Sequence, residues 1–564
     1  MSRYSFVSAV AALALVTSPL LAAPPAGVPE DWEKAAEQIN PATLRSSIAF
    51  LANDLVEGRG PATRGDSLAR LWIATQFESL GLRPGGANGS WEQPVPVVGI
   101  KTGAPAIWSF KAKSANGAQT DLKFFDDYIA TSGVQSETAG FKNAELVFVG
   151  YGIQAPEYGW DDFKGANLEG KILVMLNNDP DWDDHMFAGK TRLFYGRWVY
   201  KYESAARQHA AGAIIIHTTP SAGYPFQVVQ TSWTGERFGL PAENEPRVQL
   251  EGWATEAATR RLLASAGQDL DKLVAAAHRK DFKPVPLGIT TSIELHNTIR
   301  RVETANVIGV LPGGGLGPNG LAAQAVLVTA HHDHLGIGKP NAKGDTIYNG
   351  AEDNASGISQ MLSIARAMVA LPERPARSLV FIAWAAEEQG LLGSKYYSLH
   401  PTVPAGRITA IVNYDGGALW GRTHDIGLIG NGKSNIDDLA TEMAAVQGRI
   451  VVPDQFPDRG SFYRSDQFNL AKIGVPALYF KRGIEVIGQP AGYGKQMSEA
   501  YEANDYHQPS DELTAAWNFD GMVDDARLGF LCTLALANRP VGPTWNPGDE
   551  FEAARKKALA EAGN

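Results

Sequence analysis

The sequence predicts an α/β fold in which helices cover both faces of a sheet, with a second unit of β-then-βαβ texture ahead of it. Three observations predict it. From about residue 296, apolar runs of strand length alternate with helical periodicity: "NVIGVLP", "AVLVTA", "SLVFIAWAA", "ITAIVNYD" and "GVPALYF" are strands fit for burial on both faces. The block 141–290 has another texture, with short buried-strand runs ("AELVFVGYG", "KILVML") around a helix. The 564 residues also exceed one ordinary hydrophobic core, so two or more folded units are expected.

In chain order, residues 1–23 read as a secretory signal. Arg3 supplies a positive start, Phe6 to Leu21 is apolar, and Leu20-Leu21-Ala22-Ala23 offers small residues for cleavage. The run is short for a membrane span and is broken by Thr17, Ser18 and Pro19. Residues 28–82 are helical: Asp66 and Ser67 cap a helix with Leu68, Leu71 and Trp72 on one face, ending at Gly81. Residues 90–140 hold short strand-like pieces. "YKYESAARQHAAGAIIIHT" is a helix closed by Gly212, then a strand. His209 and His217 in it lack local partners and read as ordinary helix and strand-end residues. "NASGISQMLSIARAMVAL" is a helix with Ile358, Met361, Leu362, Ala365 and Met368 on one stripe. A last helix stops at Pro540, and the charged tail 542–564 is expected to pack loosely.

Composition excludes some functions. The formal net charge of −11 disfavours nucleic acid, which selects basic surfaces. The single cysteine, Cys532, lies in the apolar run "LGFLCTLALA" and reads as a buried core thiol, with no internal disulfide. "GLGPNG", Gly315 to Gly320, joins strand to strand instead of opening a helix, which argues against a dinucleotide site.

What remains is a set of metal-ligand side chains at strand edges. His331 follows "AVLVTA", Glu387 and Glu388 follow "SLVFIAWAA", and Asp415 ends "ITAIVNYD". In open α/β sheets, ligands bind beyond the carboxyl ends of the strands, so three strands deliver candidate ligands to one edge. In "AHHDHLG", strand alternation puts His331 and Asp333 on one face and His332 and His334 on the other. Asp333 can then accept a hydrogen bond from the His331 ring and fix its tautomer. Asp353 in "NGAEDNASG" precedes a helix, where a carboxylate either caps the helix or bridges two cations. Adjacent Glu352 should point elsewhere. Of Glu387 and Glu388, one can ligate while the other stays free as a general base. His507 sits in "NDYHQPSDE", with Asp505 and Asp511 as candidate orienting partners.

At these residues the chain resembles the M28 family of zinc aminopeptidases and related exopeptidases. The resemblance rests on five motifs in the family's order: "HHDHLG", "AEDNASG", "AAEEQGLLGS", "NYDGG" and "YHQPSDE". It implies a phosphorylase/hydrolase-like three-layer sandwich with a central mixed sheet, in a discontinuous peptidase domain, about 30–140 plus 291–541, around a β-rich α/β protease-associated (PA) domain at 141–290. It also implies two zinc ions per chain, with cobalt or manganese as possible substitutes. His331 and Asp415 would hold one ion, Glu388 and His507 the other, and Asp353 would bridge them. Glu387 would be the general base and Asp333 the orienter of His331. "SDQF" departs from the "SDH" of many relatives, leaving substrate contacts near Ser465, Asp466 and Gln467 open.

The expected protein is an exported, periplasmic or secreted aminopeptidase acting on peptides with a free N-terminus, without stable membrane insertion after signal cleavage. The alternatives are a carboxypeptidase on the same scaffold with Arg464 or Arg482 gripping a carboxylate, a one-zinc glutaminyl cyclase, and an inactive binding ectodomain. Arg464 and Asp466 are the candidate substrate contacts. Oligomeric state and side-chain preference are not readable.

Overall fold

The computed structural model describes residues 29–113, 117–243, 245–315 and 320–563. The signal segment 1–23 and most of the stretch from Gly315 to Gly320 lie outside the described residues.

The central sheet is mixed, as expected. Strand Ala325–His331 runs parallel to Ser378–Trp384 on one side and Ile408–Tyr414 on the other. Beyond Ile408–Tyr414 lies Ala477–Lys481, parallel to it, and then Asp425–Ile429, which runs antiparallel to Ala477–Lys481. On the opposite side Ser378–Trp384 pairs antiparallel with the end of Val285–Leu311. Every residue of Ala325–His331 and of Ile408–Tyr414 is buried, which is why both read as unbroken apolar runs. Helix Ser356–Val369 buries its whole expected stripe, Ile358, Met361, Leu362, Ala365 and Met368, and shares a core with helix Asp520–Asn538, where Cys532 is fully buried.

Strand Val285–Leu311 is 27 residues long and crosses the boundary expected at 290/291. Its first part pairs with Thr138–Phe148, and its later part pairs with Glu92–Gly103 and then Ser378–Trp384. The second core also begins earlier than residue 141. It joins Trp108, Phe110, Leu122 and Tyr128 to Phe148, Ile214, Leu250 and Leu295. Residues 107–131 therefore pack with the inserted unit, although the sequence reading assigned them to the peptidase part. Within that unit, strands Ile172–Leu176, Gly212–His217 and Leu250–Thr255 are parallel neighbours.

Three local expectations are corrected. Helix Arg64–Ser79 is capped by Thr63, whose hydroxyl accepts the Asp66 N–H. Its buried face is Ala69, Ile73 and Phe77, and Leu71, two residues on from Ala69, is 63% exposed on the far side. Helix Trp198–Arg207 ends before Gly212, which opens the next strand. A Cβ there would lie 3.2 Å from the side chains of Ile172 and Leu250. The tail is folded: Trp545 and Phe551 are buried against Phe462 and Phe468, and helix Glu552–Glu561 places Arg555 to donate to the Ile408 carbonyl at 2.8 Å.

Candidate metal centre

The three parallel strands bring their candidate ligands to one edge. His331 is the last residue of its strand, Asp415 follows Tyr414 directly, and Glu387 and Glu388 stand in the loop after Trp384. Asp353 comes from the segment before helix Ser356–Val369, and His507 from the loop after helix Tyr493–Asn504. His331 Nε2 lies 3.3 Å from Asp353 Oδ1, and His507 Nε2 lies 3.3 Å from Asp353 Oδ2 and 3.0 Å from Glu388 Oε2. The two oxygens of one carboxylate thus face two different histidines. Ligand atoms of His331, Glu387 and Asp415 lie within 4.8 Å of one another, as do those of His334, Asp353 and Glu388.

Long-range contacts hold these side chains in place. Asp333 is fully buried, and its carboxylate accepts the backbone N–H groups of Glu387 at 2.9 Å and Glu388 at 3.3 Å. The expected contact to His331 is made by the Asp333 main-chain carbonyl, 3.2 Å from His331 Nδ1, while the carboxylate is 3.9 Å away. The Asp333 side chain is committed to the amides of the glutamate pair, which no neighbouring strand serves. Arg59, fully buried, donates to the carbonyls of Leu51 and Asn349 at 2.6 Å, His332 at 2.7 Å and Gly350 at 2.9 Å. It ties the segment after His331 to the one before Asp353.

Other expected partners are exchanged. Asp511 accepts the N–H groups of Glu352 and Asp353 at 2.9 and 3.0 Å and so steadies Asp353, not His507. Asp505 takes the Ser510 hydroxyl. His507 Nδ1 instead meets Ser232 Oγ at 2.7 Å, from the inserted unit. His332 turns away to Asp66 at 2.9 Å, but His334, set on the same face as His332 by strand alternation, enters the site, with Nδ1 2.6 Å from Glu388 Oε1. Alternation fails there because the strand ends at His331. Glu352 pairs with Arg482.

The electrostatics follow from burying many carboxylates together. Burial raises the Glu387 carboxyl well above its usual range, against the pull of His331 and with help from Glu388. Burial opposes charge on His331 and His507. Neighbouring carboxylates, chiefly Glu387 and Asp353 for the first and Glu388 and Asp353 for the second, outweigh it, and His507 is raised to about 10. His507 Nε2 is buried without a hydrogen bond and points at two carboxylate oxygens. Imidazole nitrogens with carboxylate oxygens, the latter in excess, fit divalent ions such as zinc.

Comparison with known proteins reaches the same place. Residues 306–528 match Peptidase family M28. This segment is an M28 peptidase domain. The chain is 41% identical over 256 residues to aminopeptidase YwaD of Bacillus subtilis, covering 44% of this chain and 40% of that protein. It is 23% identical over 425 residues to leucine aminopeptidase 2 of Trichophyton rubrum, covering 72% and 68%. The aminopeptidase of Aneurinibacillus sp. strain AM-1 shares the fold, with a TM-score of 0.51 at 19% identity over 92% of this chain and 98% of that one. The family match makes residues 306–528 a peptidase domain, and the named relatives are aminopeptidases.

The M28 domain and the inserted unit face each other across the cleft that holds the site. From the M28 side come Glu387, Glu388, Asp415, Arg464 and Tyr506, and from the insert Arg197, Trp198, Ser232 and Arg237. Arg464 reaches the cleft and donates to the Tyr506 hydroxyl at 3.0 Å. Asp466 does not reach it. It is fully buried and accepts the Ser394 hydroxyl at 2.5 Å, while Ser465 and Gln467 are held by Asn413, so "SDQF" is an internal brace rather than a substrate contact. Arg482 lines the cleft, not the outer surface, and is taken up by Glu352 and the Gly417 carbonyl. Arg197 was invisible to sequence reasoning. Its guanidinium makes no hydrogen bond or ion pair among the described residues, and burial together with repulsion from Arg464 lowers it to about 10.

Proposed function

We propose that this chain is an exported di-zinc aminopeptidase that removes N-terminal residues from peptides. One observation carries the two-ion reading: Asp353 turns one oxygen to His331 and the other to His507. His331 and Asp415 would hold one ion, Glu388 and His507 the other, with Asp353 shared. Such a pair, when bound, lowers the pKa of a water and stabilises charge developing on the scissile carbonyl oxygen. Glu387 lines the cleft and accepts the proton of the attacking water on a carboxylate oxygen, then returns it to the departing amine nitrogen. Asp333 sets the position of Glu387 by holding its amide. The acidic cluster favours a substrate ammonium over a blocked N-terminus. Export rests on the signal-like pattern of residues 1–23.

A second reading is favoured by Arg197 and Arg464, two cations on the cleft wall that form no carboxylate ion pair within 4 Å among the described residues, although Glu502 acts on Arg464 from farther off. They suit a carboxylate on the substrate, which is the carboxypeptidase alternative. The full donor set supports neither a one-ion cyclase nor an inactive ectodomain. The deciding measurement is zinc per chain after reconstitution, followed by hydrolysis of peptides with free and blocked ends. Two ions and cleavage that requires a free amine support the aminopeptidase. Cleavage indifferent to N-acetylation but abolished by C-terminal amidation selects the carboxypeptidase.

A further inference from the structure

The loop carrying His507 is docked on the inserted unit. Ser232 is the last residue of helix Phe226–Ser232, and its hydroxyl lies 2.7 Å from His507 Nδ1. Five residues earlier, Gln227 donates to Gln508 at 2.8 Å. Tyr506 stacks on the His507 ring with centroids 3.9 Å apart and packs against the insert's core of Tyr224, Val228 and Trp233. Three consecutive residues, 506 to 508, thus take their support from the insert.

The direction of the Ser232 bond follows from the other ring nitrogen. His507 Nε2 faces Glu388 Oε2 and Asp353 Oδ2, so it is the nitrogen free to ligate. Nδ1 then carries the proton and donates it to Ser232 Oγ, which sets both tautomer and ring plane. Ser232 is itself fixed. Arg237 donates to its carbonyl at 2.8 Å, and that guanidinium lies 4.3 Å from the Trp233 ring centre and 5.6 Å from that of Trp198. A cation at a helix C-terminus also satisfies one of the carbonyls the helix leaves open.

We infer that Ser232 of the inserted unit is a positioning residue for one metal site of the M28 domain, the one built on Glu388 and His507. The insert is then part of the metal centre and not only a wall of the cleft. His331 takes its Nδ1 partner, the Asp333 carbonyl, from within the M28 domain. The two sites therefore differ in their dependence on the insert. This inference rests on the two-ion reading above.

The test is zinc titration of the full-length chain against a chromogenic chelator, for wild type, Ser232→Ala and Ser232→Thr, with thermal unfolding of each metal-free protein as control. Ser232→Ala should weaken one of the two zinc sites about 10–100-fold, the usual cost of removing a hydrogen bond that orients a ligand, and leave the other unchanged. Ser232→Thr keeps the hydroxyl and should restore it. Metal-free melting temperatures should coincide. If wild type binds two ions and Ser232→Ala binds both with equal affinity to wild type, or loses both together, the inference fails and the two-ion reading stands. If wild type itself binds fewer than two ions, the two-ion reading fails first and takes the inference with it.

Discussion

Arg59 offers the most demanding test of how the site is assembled. It is fully buried and donates to four main-chain carbonyls, two of them, Asn349 and Gly350, just ahead of Asp353 and one, His332, just after His331. Hydrogen bonds to a charged group contribute roughly 1.5–3 kcal/mol each, so the four are worth about 6 kcal/mol at the low end. That approaches the whole stability of an ordinary domain, about 5–15 kcal/mol. Arg59→Ala should therefore fail to give soluble folded protein. Arg59→Lys is the informative variant. An ammonium keeps the charge but presents three donors from one point instead of five in a planar fork, so at least one carbonyl is left unserved, at a cost of about 1.5–3 kcal/mol. Metal-free Arg59→Lys should melt several degrees lower, and its zinc affinity should fall because the His331 and Asp353 segments are no longer tied together. Thermal unfolding of the metal-free protein and zinc titration check both. An Arg59→Lys protein with wild-type melting temperature and wild-type zinc affinity would refute the reasoning.

Other predictions follow from single groups. Glu387→Gln should retain both zinc ions and lose about 10²–10⁴-fold in turnover, and near-normal turnover would remove Glu387 as the base. N-acetylation of a cleaved peptide should abolish its hydrolysis, measured by release of the first amino acid. His217 lies buried beside Tyr224, Phe226 and Trp253, and burial lowers its pKa from 6.5 to about 4. Between those values the unfolded chain takes up a proton that the folded chain refuses, so the stability linked to His217 is complete above pH 6.5 and is lost as pH falls towards 4. At about 1.4 kcal/mol per pH unit this is about 3 kcal/mol. His217→Phe should flatten that part of the pH–melting curve, and an unchanged slope would show that His217 is not responsible.

The candidate ligands on the sheet edge could be picked out from sequence because sequence and topology coincide there. His331, Glu388 and Asp415 stand at or just beyond the ends of parallel strands buried along all or nearly all of their length, and continuous apolar runs announce such strands and their direction. The partners of those ligands were not legible. Local spacing proposed Asp511 for His507 and the Asp333 side chain for His331, because a nearby carboxylate is the only candidate a linear reading can see. Asp511 serves the Asp353 amide instead, and the hydroxyl that meets His507 belongs to Ser232, 275 positions away. His334 was lost for another reason: alternation of faces holds only while the strand continues, and this one stops at His331. The unit boundaries failed because Val285–Leu311 is one strand serving two cores, so no change of composition marks the crossing.

That shared strand bears on why an insert can contribute to a metal site at all. A module joined by a flexible linker could not hold Ser232 at hydrogen-bonding distance from His507 without a large ordering cost. Here the insert is continuous with the M28 sheet through Val285–Leu311, which pairs from His296 to Val307 with the whole of Glu92–Gly103, and that strand in turn carries Glu236–Gly239 of the insert. The segment Glu236–Gly239 begins one residue before Arg237, the side chain that pins the Ser232 carbonyl. The path from sheet to metal ligand is therefore hydrogen-bonded throughout: paired strands to Arg237, Arg237 to Ser232, Ser232 to His507. Its rigidity makes a single hydroxyl worth placing, and loosening it at Arg237 should reproduce a weaker form of the Ser232→Ala defect in zinc affinity. An Arg237→Ala protein that folds and binds both ions as wild type does would break this chain of argument at its middle link.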